Sequence, residues 1–543
     1  MILFDIHNPN FYILLSLSLI NTIFMCFVSH KFLQIIQICS YKIGLYIDWV
    51  KDTKAKWISR IAFLSFLCFL GMFVCNVLFR NYGDYKLLTY LGLIFYFWFM
   101  IVYIINMKNV PEKKKLVVTK RVARIYILLS IVMFAITYGL LLISFNFKTA
   151  FRFSLVALTP LFVPIIVPLV VAILNPLEKL INKGYVRKAR RKLKKAEPII
   201  KIGITGSYGK TSTKQFLTHL LSKKYNVVCT PESYNTPMGI TKTINKLISK
   251  ETQIFVCEMG ADHVGDINTI CKIFKPDIAL ITAIGNQHLK TFGSFENIVK
   301  TKYEIVENLS QDGLAFFNGE NANARELYEK SDYKNKILVD FNADVKFTNF
   351  IMNKGGIKFD MIIDDKKYPC KSKLIGEHNL QNILMAVNVA LKLKVEPKDI
   401  VKAIEELKPV YHRLELKYND NGIITIDDSF NSNEMGCIYA LNTLAMFKSN
   451  RKIILTPGLV EMGEKEFEIN EKFGEMIATC CDICVIVNNY NKEAIKKGLL
   501  SKGFNPKKIY EVESLYLATE LFKTILKKGD VVLIENDLPD NYR

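Results

Sequence analysis

The residues best suited to chemistry form a glycine-rich turn between an apolar run and a helical pattern, at 202–212 (Ile-Gly-Ile-Thr-Gly-Ser-Tyr-Gly-Lys-Thr-Ser). Backbone N–H groups of such a turn, with the N-terminus of the following helix, form a cradle for phosphate oxygens. The Lys210 ammonium supplies charge for terminal phosphates, and the Thr211 hydroxyl suits Mg²⁺. Ile204 stands where the general nucleotide-binding loop has its first glycine, so this turn is a variant of that loop. The predicted nucleotide-binding residues are Gly206, Ser207, Gly209, Lys210, Thr211 and Ser212.

Three polar side chains downstream of this turn could serve the same ligand. Glu258 ends the apolar run 254–258, and the carboxyl ends of parallel strands are where such folds bind ligands, so it is placed to hold Mg²⁺. His288 follows the apolar run 277–284, and Lys302 lies at the centre of a helical pattern. Taken singly, each residue is explained as well by a purely structural role. Their order after a phosphate-binding turn favours a shared site.

The elements that must position these side chains alternate between short β-branched runs and helical patterns from residue 199 onward. This alternation is typical of parallel sheets flanked by helices, so we expect an α/β fold. The length suggests two such domains, at 199–409 and 410–543, with the break just before Tyr411. The predicted strands are 199–205, 226–230, 254–258, 277–284, 423–426, 452–456, 483–487 and 531–534.

Residues 1–175 have a different character, with five apolar segments long enough to span a bilayer as helices. Residues 1–198 hold 26 Lys and Arg against 7 Asp and Glu, whereas the remaining residues hold 46 against 44. The net charge of +21 therefore belongs to the membrane half, and it indicates topology and attraction to anionic lipid rather than nucleic-acid binding. The predicted spans are 11–29, 61–79, 87–107, 125–145 and 153–174.

The loops between these segments predict the orientation of the chain. Basic loops at 31–60, 108–124 and 179–195 alternate with sparsely charged ones at 80–86 and 146–152. The positive-inside rule then predicts an N-terminus outside and a C-terminal half in the cytosol, where ATP is found. The scattered cysteines are expected to be free thiols in that reducing compartment.

Three further segments of this half have features of special interest: one is a proline-rich span with two possible structures, and two could be interfacial helices. Pro160, Pro164 and Pro168 share one face of the last span, which fits either a kinked helix beside a lipid groove or an irregular helix packed on its neighbours. Segment 32–50 could be an interfacial amphipathic helix. Segment 175–196 is expected to be a basic helix on the inner leaflet, and the basic linker 176–198 joins the two halves.

The order of the soluble motifs resembles the Mur ligases, which join an amino acid or peptide to a carboxylate with ATP. It is most similar to the MurF branch, which adds D-alanyl-D-alanine to the peptidoglycan precursor. The resemblance covers about residues 199–534 and begins with the turn read as Thr-Gly-Ser-x-Gly-Lys-Thr-Ser. The later blocks are 234–239 (Tyr-Asn-Thr-Pro-Met-Gly), 258–266, 286–294, 302–305, 376–382 (Gly-Glu-His-Asn-Leu-Gln-Asn), 412–413 with 427–433, and 458–463.

The resemblance implies a role for each matched residue, with ATP and Mg²⁺ as cofactors. Lys210 would contact the terminal phosphate, Thr211 and Glu258 would hold a first Mg²⁺, and His288 would help to hold a second. Lys302 matches the lysine that family members carbamylate, which turns a cation into a carboxylate supporting the second Mg²⁺. The remaining matches are Asn379 and Asn382 on the adenine side, Arg413 and Asp428 from the C-terminal domain, and Asn235 and Thr236 near the acceptor substrate.

The implied reaction fits these residue types. A carboxylate attacks the γ-phosphate to give an acyl phosphate and ADP, and an amine then attacks the acyl carbon. Both steps build negative charge, so clustered cations are needed more than a side-chain nucleophile. Closure of the two domains would exclude water from the acyl phosphate.

Two departures from the family concern the substrates. The membrane segments stand where family members have a UDP-binding domain, so the acceptor could be UDP-linked or lipid-linked. An acidic segment, with Glu535, Asp537 and Asp540, replaces a Lys-Gly-Ser-Arg-like segment near the incoming amino acid. If it is not merely a solvated terminus, it would repel a substrate carboxylate and make D-alanyl-D-alanine a poor substrate.

The sequence therefore predicts a membrane-anchored ATP-dependent amide ligase of cell-envelope synthesis, without a nucleic-acid partner. One alternative is a poly-γ-glutamate-type synthetase, and the MurF-like blocks favour the first reading over it. A second is an ATP-driven transport component for a lipid-linked precursor, against which the charge-free spans count. A non-catalytic scaffold is a third, disfavoured by the retained Lys210, Glu258, His288 and Lys302. The oligomeric state and any protein partners stay open.

Overall fold

The computed structural model describes residues 9–52, 56–78, 85–108, 115–146, 154–430, 432–448, 450–488 and 490–538. The chain forms two compact units, one ending at Ile181 and the other beginning at Asn182. The loops predicted at 80–86, 108–124 and 146–152 lie wholly or partly outside the described residues, as does Asp540. Every cysteine whose side chain is described is free, as predicted.

The first unit is helical, because its segments are apolar along most of their length. Within the described residues, three helices are long and apolar enough to cross a membrane: Phe11–Ile38, Lys120–Ile143 and Ser154–Lys195. The described apolar stretches Arg60–Val74 and Ile94–Ile105 lie within two longer helices, at the positions of the other two predicted spans. The helices are α1 (Pro9–Ile38), α2 (Ile43–Asp52), α3 (Lys56–Leu78), α4 (Tyr85–Lys108), α5 (Lys120–Asn146) and α6 (Val163–Lys195), with a 3₁₀ helix at Ser154–Phe162.

Two predicted helices of this region have different bounds. Segment 32–50 is not one amphipathic helix, because α1 continues to Ile38 and α2 is separate. Segment 175–196 is not a helix of its own either, since most of it is the continuation of α6. The proline-rich segment is irregular at its start: Pro160 lies in the 3₁₀ helix, where its missing N–H and fixed φ are tolerated better than inside an α-helix.

The second unit begins with a parallel six-stranded sheet in the order β2-β3-β1-β4-β5-β6. The strands are β1 (Ile200–Thr205), β2 (Val227–Cys229), β3 (Ile254–Glu258), β4 (Ile278–Ile281), β5 (Leu314–Asn318) and β6 (Lys336–Val339). The helices are α7 (Lys210–Leu221), α8 (Pro237–Leu247), α9 (Asp266–Phe274), α10 (Leu289–Phe292), α11 (Phe295–Glu307), α12 (Ala322–Lys330), α13 (Glu377–Lys392) and α14 (Pro397–Glu406). An antiparallel sheet of β7 (Val345–Asn353), β8 (Gly356–Ile363) and β9 (Lys366–Ser372) is added to this domain.

A second six-stranded sheet follows, in the order β10-β11-β15-β12-β13-β14, and only β10 is antiparallel to its neighbour. Its strands are β10 (Glu415–Tyr418), β11 (Ile424–Asp428), β12 (Lys452–Thr456), β13 (Ile483–Val487), β14 (Ile509–Val512) and β15 (Val531–Glu535). Its helices are α15 (Glu434–Ala445), α16 (Glu466–Cys480), α17 (Lys492–Ser501) and α18 (Leu515–Ile525). Both sheets confirm the α/β class predicted for this half.

The register of the first sheet positions the candidate site. Ile202 and Ile204 of β1 are buried against Phe216 and Leu217 of α7, so the glycine turn between these two elements is held from both sides. Ile204 pairs with Glu258 across β1 and β3, so that glutamate reaches the same sheet edge as the turn. Parallel strands thus gather the chemistry at their carboxyl ends.

Candidate active site

The turn between β1 and α7 is a close-packed backbone cradle. A Cβ at Gly206, whose φ is +154°, would lie 2.1 Å from Thr282 Oγ1, and one at Gly209, whose φ is +82°, would lie 2.7 Å from Asn382 Oδ1. Both positions therefore require glycine. The Ser207 hydroxyl donates to the Gly285 carbonyl at 2.9 Å and accepts from the Gly285 N–H at 3.0 Å. These contacts fix the loop before any ligand binds.

Lys210 begins α7 and folds back over this loop. Its Nζ donates to the carbonyl oxygens of Gly206 at 2.6 Å and Ser207 at 2.9 Å. Burial, together with the nearby Arg413, lowers the pKa of Lys210 to about 8 against the attraction of Glu258. A cation already repelled by another cation is stabilised by a bound anion, which suits the nucleotide role predicted for Lys210.

Glu258 is deeply buried at the end of β3, and two neighbours hold its carboxylate. Oε2 pairs with Lys214 Nζ at 3.0 Å, and Oε1 accepts from Asn235 Nδ2 at 3.2 Å. Sequence reasoning missed Lys214, although it lies one helical turn after Lys210 on the same face of α7, and that spacing could have identified it. Asn235 is therefore brought to the predicted metal carboxylate, while its predicted contact with the acceptor stays a prediction.

His288 lies just past β4 and faces two carboxylates. Its φ is +56°, in the left-handed region. Its Nδ1 is 2.5 Å from Glu461 Oε2, and its Nε2 is 3.7 Å from Asp262 Oδ1. Glu461 lies in the second domain, within the segment 458–463 that was noted for its family resemblance, but was not singled out as a site residue. The histidine thus joins the two domains of this unit.

Lys302 is buried in α11, with Nζ 5.9 Å from the centroid of the Phe292 ring. Burial, followed by repulsion from Lys210, lowers the pKa of Lys302 to about 7. Much of this amine is therefore unprotonated at neutral pH, and the unprotonated form is the one that carbamylation requires. The structure brings Lys302 close enough to Lys210 for their charges to interact, as a shared site demands.

Mg²⁺ fits the donors gathered at this edge. Among the described residues, no group of three or more His, Cys, Asp or Glu side chains could hold a metal ion alone. That is typical of Mg²⁺, which protein sites bind through one or two carboxylates together with water and substrate phosphates. Thr211 and Glu258 would be the protein contacts of a first ion, and His288 and a carbamylated Lys302 those of a second. When bound, Mg²⁺ would neutralise phosphate oxygens.

The two asparagines predicted on the adenine side of the nucleotide have different surroundings. Asn382 lies beside the glycine turn, where its Oδ1 accepts from the Thr213 hydroxyl at 3.1 Å. Asn379 is buried, and its Nδ2 donates to the Ile375 carbonyl at 2.7 Å. Asn379 therefore supports its own helix, and Asn382 bonds to α7 beside the loop. Their contact with adenine stays a prediction.

A cavity of about 390 Å³ lies beside the turn, between the two domains of this unit. Tyr208 of the turn lines it, so a ligand held by the loop could extend into it. Its wall is rich in side-chain amides, which can donate to and accept from the ring nitrogens of a base. Tyr208, Gln381 and Asn433 of its wall lie in segments that resemble the family, and Asn321, Asn323 and Tyr439 lie outside them. Sequence reasoning assigned a role to none of these six residues.

Arg413 links the turn to the second domain. Its guanidinium carbon lies 4.8 Å from the centroid of the Phe430 ring. Burial lowers the pKa of Arg413, and the carboxylates of Asp428, Glu258 and Glu535 oppose that change. Asp428 is also buried, and its Oδ1 accepts from the Leu414 N–H at 3.1 Å. Arg413 and Asp428 thus lie together near the turn, as predicted for residues that reach the nucleotide.

The acidic segment at the end of the chain is not a single exposed cluster. Glu535 is fully buried at the end of β15, where Oε1 accepts from the Ser432 hydroxyl and lies 3.1 Å from Cys437 Sγ. Burial, and then Asp428, raise the pKa of Glu535 well above its usual value. Only Asp537 of the described acids there is exposed. The expected repulsive cluster is therefore wrong for Glu535, because the strand turns that side chain into the core.

Thr236 has a local role in the structure. Its side chain accepts from the Gly239 N–H and caps α8, whose first residue is Pro237. A threonine before a proline and an apolar helical pattern is a typical helix start. Its predicted contact with substrate stays a prediction.

Comparison with known proteins agrees with this architecture. Residues 204–390 match the Mur ligase middle domain, and residues 412–535 match the Mur ligase glutamate ligase domain. The chain is 27% identical over 347 residues to the UDP-N-acetylmuramoyl-tripeptide--D-alanyl-D-alanine ligase of Bacillus subtilis, covering 62% of this chain and 72% of that protein. It is 29% identical over 346 residues to the UDP-N-acetylmuramoylalanine--D-glutamate ligase of Caldicellulosiruptor saccharolyticus, covering 61% of this chain and 69% of that one.

Solved structures give the same picture. MurF from Acinetobacter baumannii aligns with a TM-score of 0.59 and 25% identity, covering 66% of this chain and 77% of that one. The MurF ligase of Thermotoga maritima in complex with ADP aligns with a TM-score of 0.57 and 26% identity, covering 66% and 80%. These matches confirm the predicted resemblance, the use of ATP with Mg²⁺ and the ligase class. The chain belongs to the Mur ligase family, the ATP-dependent amide ligases of peptidoglycan synthesis.

Proposed function

We propose that this protein is a membrane-anchored ligase that forms an amide bond on a cell-envelope precursor at the cytosolic face of the membrane. The observation that carries the catalytic part is the convergence of cations on one sheet edge. Lys210 and Arg413 lie close enough for their charges to interact, Lys302 lies near Lys210, and Glu258 is buried beside them. Such a site stabilises the charge of a transferring phosphoryl group.

The proposed chemistry uses these residues without a side-chain nucleophile. The acceptor carboxylate attacks the γ-phosphorus, the bond to the β-γ bridging oxygen breaks, and ADP leaves. The amine then attacks the acyl carbon of the resulting acyl phosphate, and phosphate leaves as the amine loses a proton. Lys210 and Arg413 stabilise the phosphate oxygens in the first step. Closure of the two domains over the cleft, where His288 meets Glu461, excludes water from the acyl phosphate.

Support for membrane anchoring comes from the helical unit. Three of its helices have the length and composition to cross a bilayer. Exposed aromatic and aliphatic side chains such as Phe27, Phe63 and Ile131 point away from its buried core, as lipid-facing side chains do. Lys and Arg predominate in the flanking segments, which favours the cytosolic placement of the catalytic half.

The substrates are proposed by class. The named relatives act on UDP-linked muramoyl precursors, and two of the solved relatives are MurF. We propose a related carboxylate as acceptor here, presented on a lipid at the membrane where the enzyme is anchored. Because Glu535 is buried rather than exposed to substrate, an amino acid or dipeptide is an acceptable amine, and D-alanyl-D-alanine is the first one to test.

The experiment that tests the catalytic proposal measures ADP release by the full-length protein in detergent. Panels of amines are combined with UDP-linked and lipid-linked precursors, and the amide product is identified by mass spectrometry. Lys210→Ala should abolish ADP release without unfolding the protein, because the Lys210 ammonium bonds to carbonyl oxygens of the loop. Normal turnover by a folded Lys210→Ala protein would contradict the site, and ADP release without amide formation would contradict the ligase.

Membrane topology is tested separately. A reporter fused after Lys113 should be cytosolic, and one at Asn81 should be external. Opposite labelling of the two positions would overturn the proposed orientation and with it the cytosolic placement of the catalytic half.

A further inference from the structure

Three segments of the helical unit meet at polar side chains that the ligase chemistry does not use. Arg121 lies in the first turn of α5, Tyr41 follows the end of α1, and Asn175 lies in α6. The guanidinium carbon of Arg121 is 3.8 Å from the centroid of the Tyr41 ring, and an Nη of Arg121 donates to Asn175 Oδ1 at 3.1 Å. We refer to these three residues as the Arg121 cluster.

Arg121 is not paired directly with a carboxylate of the described residues, and the nearby Glu178, which attracts it, is shared with Arg124. Its neighbour Arg124 donates two hydrogen bonds to Glu178, at 2.7 and 2.8 Å, which engage both oxygens of that carboxylate. Arg121 itself forms no ion pair with any described residue, and its Nε is buried without a hydrogen-bond acceptor. A partly buried guanidinium that contacts a neutral amide and an aromatic ring remains positively charged, and here it also has an N–H without an acceptor in the described part of the chain. An anionic ligand would neutralise the charge and accept that hydrogen bond.

The position of the cluster favours an anion that carries an apolar body. Its three residues lie where apolar helical stretches begin or end, since α1 ends at Ile38 and the apolar part of α5 follows Arg121. Exposed isoleucines continue along α5 and α6. A lipid whose head group reaches Arg121 could lay its chain against such side chains. Guanidinium groups bind phosphate oxygens with two parallel hydrogen bonds, and stacking on a ring orients them to do so.

We propose that the Arg121 cluster binds the head group of a lipid phosphate monoester, the free form of the lipid on which the acceptor is presented. This rests on the proposed function, which places these helices in the bilayer and the acceptor on a lipid. A phosphate monoester carries about 1.5 to 2 negative charges near pH 7, more than the single charge of a phospholipid diester. Among the described residues, Arg121 has no direct ion pair and its Nε–H has no acceptor, so we expect it to bind the monoester more tightly than the diester.

The test uses full-length protein in phosphatidylcholine nanodiscs without nucleotide, titrated with a polyprenyl monophosphate and followed by native mass spectrometry. Arg121→Gln should weaken binding at least tenfold. Lys120→Gln, a matched loss of charge at the adjacent exposed lysine, should change it less than twofold. Arg121→Lys keeps the positive charge but loses the planar guanidinium with its paired donors, so its affinity for the lipid phosphate should fall about threefold.

Several outcomes would overturn the proposal. Equal weakening by Arg121→Gln and Lys120→Gln would mean general attraction to a basic surface. Equal binding of phosphatidylglycerol, or full competition by millimolar inorganic phosphate, would mean a site for any lipid or for free anions. If Arg121→Gln does not fold, Asn175→Ala keeps the charge and removes the acceptor that orients it, and unchanged affinity in that variant would also overturn the site. Because no nucleotide is present, this result is independent of whether the ligase assay succeeds.

Discussion

The buried pair of Lys214 and Glu258 provides the sharpest test of how this site is held together. Their side chains are 1% and 2% exposed, and the charged atoms are 3.0 Å apart. At an effective dielectric constant of about 20, unit charges at that distance attract by roughly 5 to 6 kcal/mol. Removing one partner of a buried pair leaves the other charge uncompensated, at a typical loss of about 3–5 kcal/mol. We expect Lys214→Met to lower the free energy of unfolding of the catalytic half by about 3 kcal/mol.

A matched control uses a pair of the same residue types on the surface. Lys330 and Glu326 are 2.5 Å apart, but their side chains are 72% and 58% exposed. Water screens such a pair, so Lys330→Met should change the free energy of unfolding by less than about 0.5 kcal/mol. The double variant Lys214→Met with Glu258→Leu should recover most of the loss, because an apolar pair no longer buries an unpaired charge.

The assay is urea unfolding of nucleotide-free, full-length protein, read by pulse proteolysis of the catalytic half. Tryptophan fluorescence would not serve, because the three tryptophans, Trp49, Trp57 and Trp98, all lie in the helical half. A loss below about 1 kcal/mol for Lys214→Met would refute the reasoning, since the pair would then be no stronger than an exposed one. Equal losses in Lys214→Met and Lys330→Met would refute it as well.

Two further predictions concern buried groups of unusual pKa. Lys302→Ala should be nearly inactive in ADP release and partly rescued by short-chain carboxylic acids, because these replace the carboxylate of a carbamylated lysine. If the acids do not restore activity and intact-mass analysis of the active enzyme shows an unmodified lysine, carbamylation of Lys302 is contradicted. Burial raises the pKa of Glu535, so its contribution to stability is present below its unfolded pKa of about 4.5 and is lost as pH rises. Glu535→Gln should therefore gain urea stability relative to wild type between pH 5 and pH 8, whereas Glu513→Gln, at an exposed position, should show no such trend. If the difference in unfolding free energy between Glu535→Gln and wild type does not change with pH, Glu535 ionises in the folded protein much as it does in the unfolded one.

Much of the catalytic half follows from local patterns in the chain. β-Branched runs beside glycine turns predict the parallel strands, because a strand buried on both faces needs apolar side chains on both. The glycine turn predicts its own geometry, since Gly206 and Gly209 adopt positive φ and meet neighbouring atoms that no side chain could displace. Strands β5, β6, β10 and β14 and the antiparallel sheet were not predicted, because their short or mixed runs look like loops until neighbouring strands pair with them.

The partners within the site depend on contacts between residues far apart in the chain. Lys214 meets Glu258, and His288 meets Glu461, across separations that no local pattern encodes. Burial of Glu535 depends on which face of β15 packs on α15, so a residue that reads as an exposed acid is a core side chain whose pKa is raised by burial. Residue types and spacing therefore sufficed for the family, the nucleotide loop and the α/β class. The pKa shifts of Lys210, Lys302 and Glu535 were set by packing, because desolvation and neighbouring charges act through space and not along the chain.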